Sequence, residues 1–191
     1  MPHRQPPPEG AVLLLDTPAI ERALRRIAHE ILEANPLVSR LALVGIPSRG
    51  VELARKLAAY IAQFEGCAPA TGVIDVSMHR DDLHSRRRLV QIQPSNLPPH
   101  LEDKTIVLVD DVLFSGRTCR AAMDALSSFG RPARIQYAVL VDRGHRELPI
   151  RADFVGKNLP TQSNERIYVR LAAIDSIDDS VWIDRPTTPS A

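Results

Sequence analysis

Ile106-Val107-Leu108-Val109-Asp110-Asp111-Val112-Leu113-Phe114-Ser115-Gly116-Arg117-Thr118 is the stretch on which the fold of this chain turns. Ile106 to Val109 is an unbroken apolar run, the pattern of a strand buried on both faces of a parallel sheet. Adjacent carboxylates end that run, a short loop follows, and Ser-Gly-Arg-Thr opens a helix. Open parallel sheets bind ligands beyond the carboxyl ends of their strands. A helix start offers free backbone N–H groups and the positive end of its dipole, which suits a phosphate. Gly116 lets the backbone come close, and Ser115 and Thr118 add hydroxyl donors. Asp110 and Asp111 suit vicinal sugar hydroxyls as acceptors, or a share in holding Mg²⁺. Carboxylates on one side and a phosphate cradle on the other imply a ribose phosphate between them. The plainer alternative is a strand ending in a solvated Asp pair before an ordinary capped helix.

The flanking sequence alternates strand and helix. Upstream, Leu41 to Ile46 is another continuous apolar run. The turn Pro47-Ser48-Arg49-Gly50 leads from it into a helix ending near Gly66, and Gly72 to Val76 reads as a strand. Further upstream, Thr17 is a plausible N-cap with Pro18 at the first helical position. On that helix Ile20, Leu24, Ile27 and Ile31 share one face, while Arg22, Arg25, Arg26 and His29 share another. Asn35-Pro36 ends it. Downstream, Ala122, Ala125, Leu126 and Phe129 form the core face of the helix opened at Ser115-Gly116, and Gly130 and Pro132 stop it. Ile135 to Val141 is a further strand. This order predicts an α/β domain with a largely parallel sheet. Phe154, Val155, Ile167, Tyr168 and Val169 read as short strands outside that core. The proline-rich residues 1–10 and the end from residue 184 read as flexible tails, leaving one domain over residues 11–183.

Composition narrows the function classes. The formal net charge of +1, from 24 basic and 23 acidic residues, gives no global pull toward nucleic acid or membrane, though a local basic patch is compatible with it. Cys67 and Cys119 lie outside any CxxC pattern and read as reduced, partly buried thiols. The histidines have no zinc-ligand spacing. No apolar run approaches the roughly 18 residues that span a bilayer. Met1-Pro2-His3-Arg4, followed by Pro6-Pro7-Pro8, lacks an apolar signal core, so a cytoplasmic protein is expected.

The stretch from Ile106 to Thr118 resembles the phosphoribosyl pyrophosphate motif of type I phosphoribosyltransferases, a motif also kept by a few regulators that have lost catalysis. The resemblance implies a parallel five-stranded core sheet flanked by helices, plus a small hood. It implies that Asp110 and Asp111 hold the ribose hydroxyls. The loop Val112, Leu113, Phe114, Ser115, Gly116, Arg117 and Thr118 then lines the substrate, with Ser115 to Thr118 around the 5-phosphate. Val44-Gly45-Ile46-Pro47-Ser48-Arg49-Gly50, read alone, is only a βα turn. By the resemblance it is the pyrophosphate loop, where Ser48, Arg49 and backbone amides bind the leaving group through charge-assisted bonds. Family members often carry Lys-Thr where this chain has Pro47-Ser48. Ser48 keeps a hydroxyl, whereas Pro47 removes an amide donor and favours a cis Ile46–Pro47 bond.

Residues 79–100 are polar and rich in arginine and proline. Arg80-Asp81-Asp82-Leu83 and Arg86-Arg87-Arg88 fit the lid of this superfamily, with Arg80 as a lid residue that excludes water on closure. A solvated basic loop, or one that meets nucleic acid, is the competing reading.

The stretch from Val141 to Asn158, with Arg26 to Ile31 and Val112 to Thr118, is similar to the pyrimidine-operon attenuation regulators that double as uracil phosphoribosyltransferases. The similarity runs from about residue 12 to 180. It implies transfer of ribose phosphate to uracil, giving uridine monophosphate and pyrophosphate. Mg²⁺ is then carried on pyrophosphate and ribose oxygens, with no direct protein ligand assigned. Arg143 borders the base, and residues of about 150–170 form the hood that grips uracil. The family also binds a leader transcript, here through Arg26, His29, Arg146, Arg151 and Lys157, and forms dimers or larger assemblies. Those cations read equally as solvated charges kept for packing or dimerisation. Transfer to another base, and an RNA-binding attenuator with vestigial activity, stay open as alternatives.

Overall fold

The frame is set by strands whose residues alternate between apolar layers. The computed structural model describes residues 7–77 and 94–185. In β2 (Leu41–Gly45), Leu41 and Leu43 enter one core while Ala42 and Val44 enter the other. β4 (Thr105–Leu113) divides Val107 and Val109 from Ile106 and Leu108, and β5 (Arg134–Asp142) divides Ala138 and Leu140 from Tyr137 and Val139. With β3 (Ala70–Val73) and β6 (Phe154–Asn158) they form a five-stranded sheet in the order β3-β2-β4-β5-β6, every pair parallel. A two-period ladder buried on both sides explains why these strands read as continuous apolar runs.

Helices cover both faces. α1 (Thr17–Ala34) and α2 (Arg49–Glu65) lay Leu24, Ile27, Ile31, Leu53, Leu57 and Ile61 on one side. α3 (Arg117–Ser127) lays Ala121, Ala122, Ala125 and Leu126 on the other. Each buried Leu or Ile contributes about 1.5–3 kcal/mol. A smaller antiparallel sheet joins β1 (Val12–Leu15), β8 (Ser180–Asp184) and β7 (Arg166–Arg170) in the order β1-β8-β7. A short helix, α4 (Ala172–Asp175), precedes β8. Leu15, Val169, Leu171 and Val181 join the core of α1 and α2, so the small sheet shares that layer.

Several expectations change. Asp16, not Thr17, caps α1: its Oδ1 accepts from Ala19 N at 2.9 Å, and the Thr17 hydroxyl instead donates to Asp179 O at 2.9 Å. The expected strand at Gly72 to Val76 is formed over Ala70–Val73, pulled back by its register with β2. Phe129 would continue the apolar stripe, but α3 ends at Ser127 before reaching it, and it is 52% exposed. Cys67, read as partly buried, is exposed in the turn after α2, while Cys119 is buried. Phe154 and Val155 belong to the edge strand of the core sheet, not to a strand outside it. The hood expected over residues 150–170 is therefore divided, since only Arg166–Arg170 joins the small sheet and its other strands come from either end of the domain. A short apolar pair fits an edge strand and a peripheral hairpin equally, so periodicity could not separate them. No helix among the described residues is long and apolar enough to cross a membrane.

Candidate active site

The carboxyl end of β4 runs further than its apolar run. Val112 pairs with Val141 and Leu113 with Asp142, because β5 offers ladder partners that far. Asp110 and Asp111 therefore lie within the strand. Alternation sends Asp110 to the α3 side, where it is 7% exposed. There it accepts from Asp111 N at 2.9 Å and from the Tyr137 hydroxyl at 3.3 Å. Burial, and then the neighbouring Asp111 charge, hold the Asp110 carboxyl well above the usual range. Burial likewise pushes the Cys119 thiol up to about 12, with Asp110 and Asp153 adding to it, so this sulfur stays protonated and is no nucleophile. Asp111 is half-buried and accepts from Val112 N at 2.9 Å.

A helix start lies on each side of this pair. Gly116, with φ 93°, turns the chain into α3, a conformation that disfavours any side chain. Arg117 opens α3, with its N–H 3.4 Å from Ser115 Oγ and its Nε 2.7 Å from Glu147 Oε2. Thr118 follows in the first turn. On the other side α2 begins at Arg49, after Ser48. Ile46 N donates to Val109 O at 2.9 Å, fixing the turn against β4. A Cβ on Gly50 would meet Val109 O at 2.2 Å, so the start of α2 touches the backbone just before Asp110. The cis bond of this loop is Pro47–Ser48, and not the expected Ile46–Pro47. Arg49 donates from Nη2 to Asp175 Oδ1 at 2.6 Å and from Nε to Oδ2 at 3.3 Å. Asp175 escaped the sequence reading, since α4 carries no motif and lies far along the chain.

Residues after β5 brace the loop. Arg143, 8% exposed, donates to Thr161 Oγ1 at 3.0 Å, Gln162 O at 3.2 Å and Glu165 O at 2.8 Å. Its guanidinium lies 4.3 Å from the Phe114 ring centroid, and burial lowers its pKa against an opposing pull from Glu165. Arg146 donates to Phe114 O at 2.9 Å, Gly144 O at 3.1 Å and Ile150 O at 3.0 Å, and pairs with Asp142. Phe114 is thus held by its ring and by its carbonyl, through cations the sequence reading assigned to base and RNA. Arg151 is exposed in the following loop.

The other expected cations lie elsewhere. Arg22, Arg26 and Lys157 line an open groove of about 630 Å³ between α1 and β6, together with Asn158. Arg26 is already engaged there, donating to Val155 O at 2.9 Å and Gly156 O at 2.6 Å and pairing with Glu30. His29 stacks on Phe64 with centroids 4.0 Å apart, and Arg25 lies 4.7 Å over the Tyr60 ring. Neither Arg146 nor Arg151 lines this groove. Arg80 and the arginines at 86–88 lie outside the described residues. Among the described residues, no group of three or more His, Cys, Asp or Glu side chains is placed to hold a metal ion.

The family model of the phosphoribosyl transferase domain matches residues 13–171. A protein of Chloroflexus aurantiacus named "Bifunctional protein PyrR" is 56% identical over 88% of this chain and 92% of its own length. The protein of the same name from Listeria monocytogenes is 51% identical over 91% of this chain and 97% of its own. Among solved structures, the Leishmania tarentolae HGPRT-ase in complex with GMP superposes with a TM-score of 0.68 at 18% identity, covering 94% of this chain and all of that one. The hypoxanthine phosphoribosyltransferase of Trypanosoma cruzi gives 0.66 at 17% identity, covering 91% and 96%. At such identities these structures establish the fold alone.

Proposed function

The chain belongs to the phosphoribosyl transferase family, and from that premise we propose that it transfers ribose phosphate from 5-phosphoribosyl pyrophosphate to uracil, and that it also binds the leader RNA of pyrimidine genes. The observation that carries the enzyme is the Asp110–Asp111 pair set between the starts of α2 and α3. A substrate with a diol in the middle and an anion at each end matches that order. Ser115, Gly116, Arg117 and Thr118 take the 5-phosphate at the α3 start, and Ser48 and Arg49 take the pyrophosphate at the α2 start. Asp111 and Asp110 accept from the ribose hydroxyls. The bond from C1′ to the pyrophosphate oxygen breaks, its electron pair leaving with pyrophosphate, as C1′ bonds to uracil N1, and the N1 proton passes to the departing pyrophosphate or to solvent. No side-chain nucleophile takes part; positioning and electrostatics supply the acceleration.

The Asp pair would face Mg²⁺ carried on the substrate's ribose and pyrophosphate oxygens, where the ion would neutralise charge on the leaving pyrophosphate. Uracil as acceptor follows the PyrR relatives. Arg143 serves the base by holding Phe114 and the 161–165 segment, with Nε and Nη2 engaged on that segment and the Nη1 donors left over. The test is transfer to uracil, orotate, adenine and hypoxanthine with mass-detected product. Comparable turnover with a purine or orotate replaces uracil in this reading.

The groove of Arg22, Arg26 and Lys157 supports the RNA role, since clustered cations attract phosphate locally whatever the net charge. The same family reading carries a homodimer or larger homo-oligomer, which sedimentation velocity measures directly.

A further inference from the structure

We propose that Asp175 is a positioning residue for the pyrophosphate loop: its carboxylate holds the Arg49 guanidinium by one edge and leaves the opposite edge for the phosphates of the leaving group. This rests on the assignment of Arg49 to pyrophosphate. Arg49 commits Nε and one hydrogen of Nη2 to Asp175. The donors that remain, both on Nη1 and the second on Nη2, lie along the other side of the planar fork. Asp175 cannot follow a swinging arginine. It is 4% exposed, and its Oδ2 also accepts from Leu171 N at 2.9 Å. A carboxylate pinned by its own turn and gripping the guanidinium side-on fixes the plane in which Arg49 presents its free donors.

A second ion pair separates positioning from packing. Two helical turns along α2, Lys56 pairs with Asp179. Asp179 in turn accepts from Ala172 N at 2.8 Å. The segment holding α4 is therefore fastened to α2 at the pyrophosphate loop by Asp175 and away from it by Asp179. Both aspartates are buried and both serve the same segment. Only one of them touches a residue of the loop.

Charge and positioning predict opposite signs. A carboxylate beside an anion site repels the anion, so removing it should tighten binding if charge alone mattered. If Asp175 orients Arg49, removing it weakens binding. The experiment is calorimetric titration of the full chain with phosphoribosyl pyrophosphate, and with inorganic pyrophosphate plus Mg²⁺, beside initial-rate kinetics. Asp175→Asn should bind both ligands about 10- to 100-fold more weakly, as for a displaced binding group, with KM for uracil changed less than about twofold. Asp179→Asn should lower the melting temperature and leave both affinities unchanged. Unchanged or tighter binding by Asp175→Asn overturns the proposal, and so does an equal loss in both variants, which would mark a packing effect. Asp175→Glu keeps the charge but shifts the carboxylate by a methylene, and should also weaken binding; parental affinity in that variant overturns the proposal even if the Asn variant does not fold. If the parent chain binds neither ligand, the reading of the whole site falls and the role of Asp175 with it.

Discussion

The Tyr137 hydroxyl donates to Asp110 Oδ2 at 3.3 Å, diagonally across the β4–β5 ladder and under α3. The contact makes Asp110 a buried acceptor whose charge the fold tolerates at a cost. Because its folded pKa lies above the unfolded one, the folded state holds the proton more tightly. That contribution to stability is full below about pH 4, the unfolded carboxylate range, and is lost as pH rises through the folded value. Asp110→Asn, always neutral, should therefore melt higher than the parent at pH 8, with the gap closing toward acid pH. Transfer should fall by about 10²-fold or more, as when one preorganised polar group is removed. Thermal melts between pH 4 and 8, with steady-state rates, test both halves. A lower melting temperature at pH 8, or activity within tenfold of the parent, contradicts the assignment.

Gly50 is where α2 meets β4. Its added Cβ would stand 2.2 Å from Val109 O, a backbone atom that cannot move without the ladder. Gly50→Ala should cost about 1–3 kcal/mol by overpacking and displace the start of α2 from Asp110. The expected kinetic signature is a raised KM for phosphoribosyl pyrophosphate with a smaller change for uracil. Parental stability and KM in this variant would show that the close approach is not needed.

Arg143 ties Phe114 to the 161–165 segment through a cation–π contact and several directed bonds. Arg143→Ala removes three hydrogen bonds to part-buried acceptors and should lose about 1–3 kcal/mol, roughly 2–4 °C of melting temperature per kcal/mol at this chain length. Arg143→Lys should rescue little, since an ammonium neither stacks flat nor spans separate carbonyls. KM for uracil should rise in both variants. Full rescue by lysine would reduce Arg143 to a point charge.

The core sheet was legible because a strand buried on both faces leaves an apolar run, as at Leu41 to Val44 and Ile106 to Val109. The turns into α2 and α3 were legible because glycine and hydroxyl residues at strand ends leave a local pattern. What stayed hidden is non-local. Asp175 meets Arg49 from the far end of the chain, and β6 joins the core through pairing with β5 that a short apolar pair cannot announce. The partners of Arg143 and Arg146 stayed hidden for a related reason. Charge in a sequence marks a cation but not its acceptors, and here those acceptors are Phe114 O and the carbonyls of a later segment.

Arg146 is where the RNA and enzyme readings separate. The family resemblance places it with Arg26 and Lys157, yet it donates to Phe114 O and pairs with Asp142, away from the groove on α1. Arg146→Ala should therefore lower transfer by at least about tenfold, by releasing the ribose-phosphate loop from its fixed geometry. Arg22 and Lys157 line the groove itself. Arg22→Ala and Lys157→Ala should leave transfer unchanged and each reduce the salt slope of leader binding by about 0.7, the value per phosphate contact on a single strand. Specificity must come from splayed bases in a loop, since charge alone binds any RNA. Anisotropy titrations of a stem-loop from the host's own pyrimidine-gene leaders, at several salt concentrations and with or without uridine monophosphate, read both effects. A leader that binds no better than scrambled RNA in either condition leaves only the enzyme. Arg146→Ala with undiminished transfer but weakened leader binding would return that residue to the RNA surface.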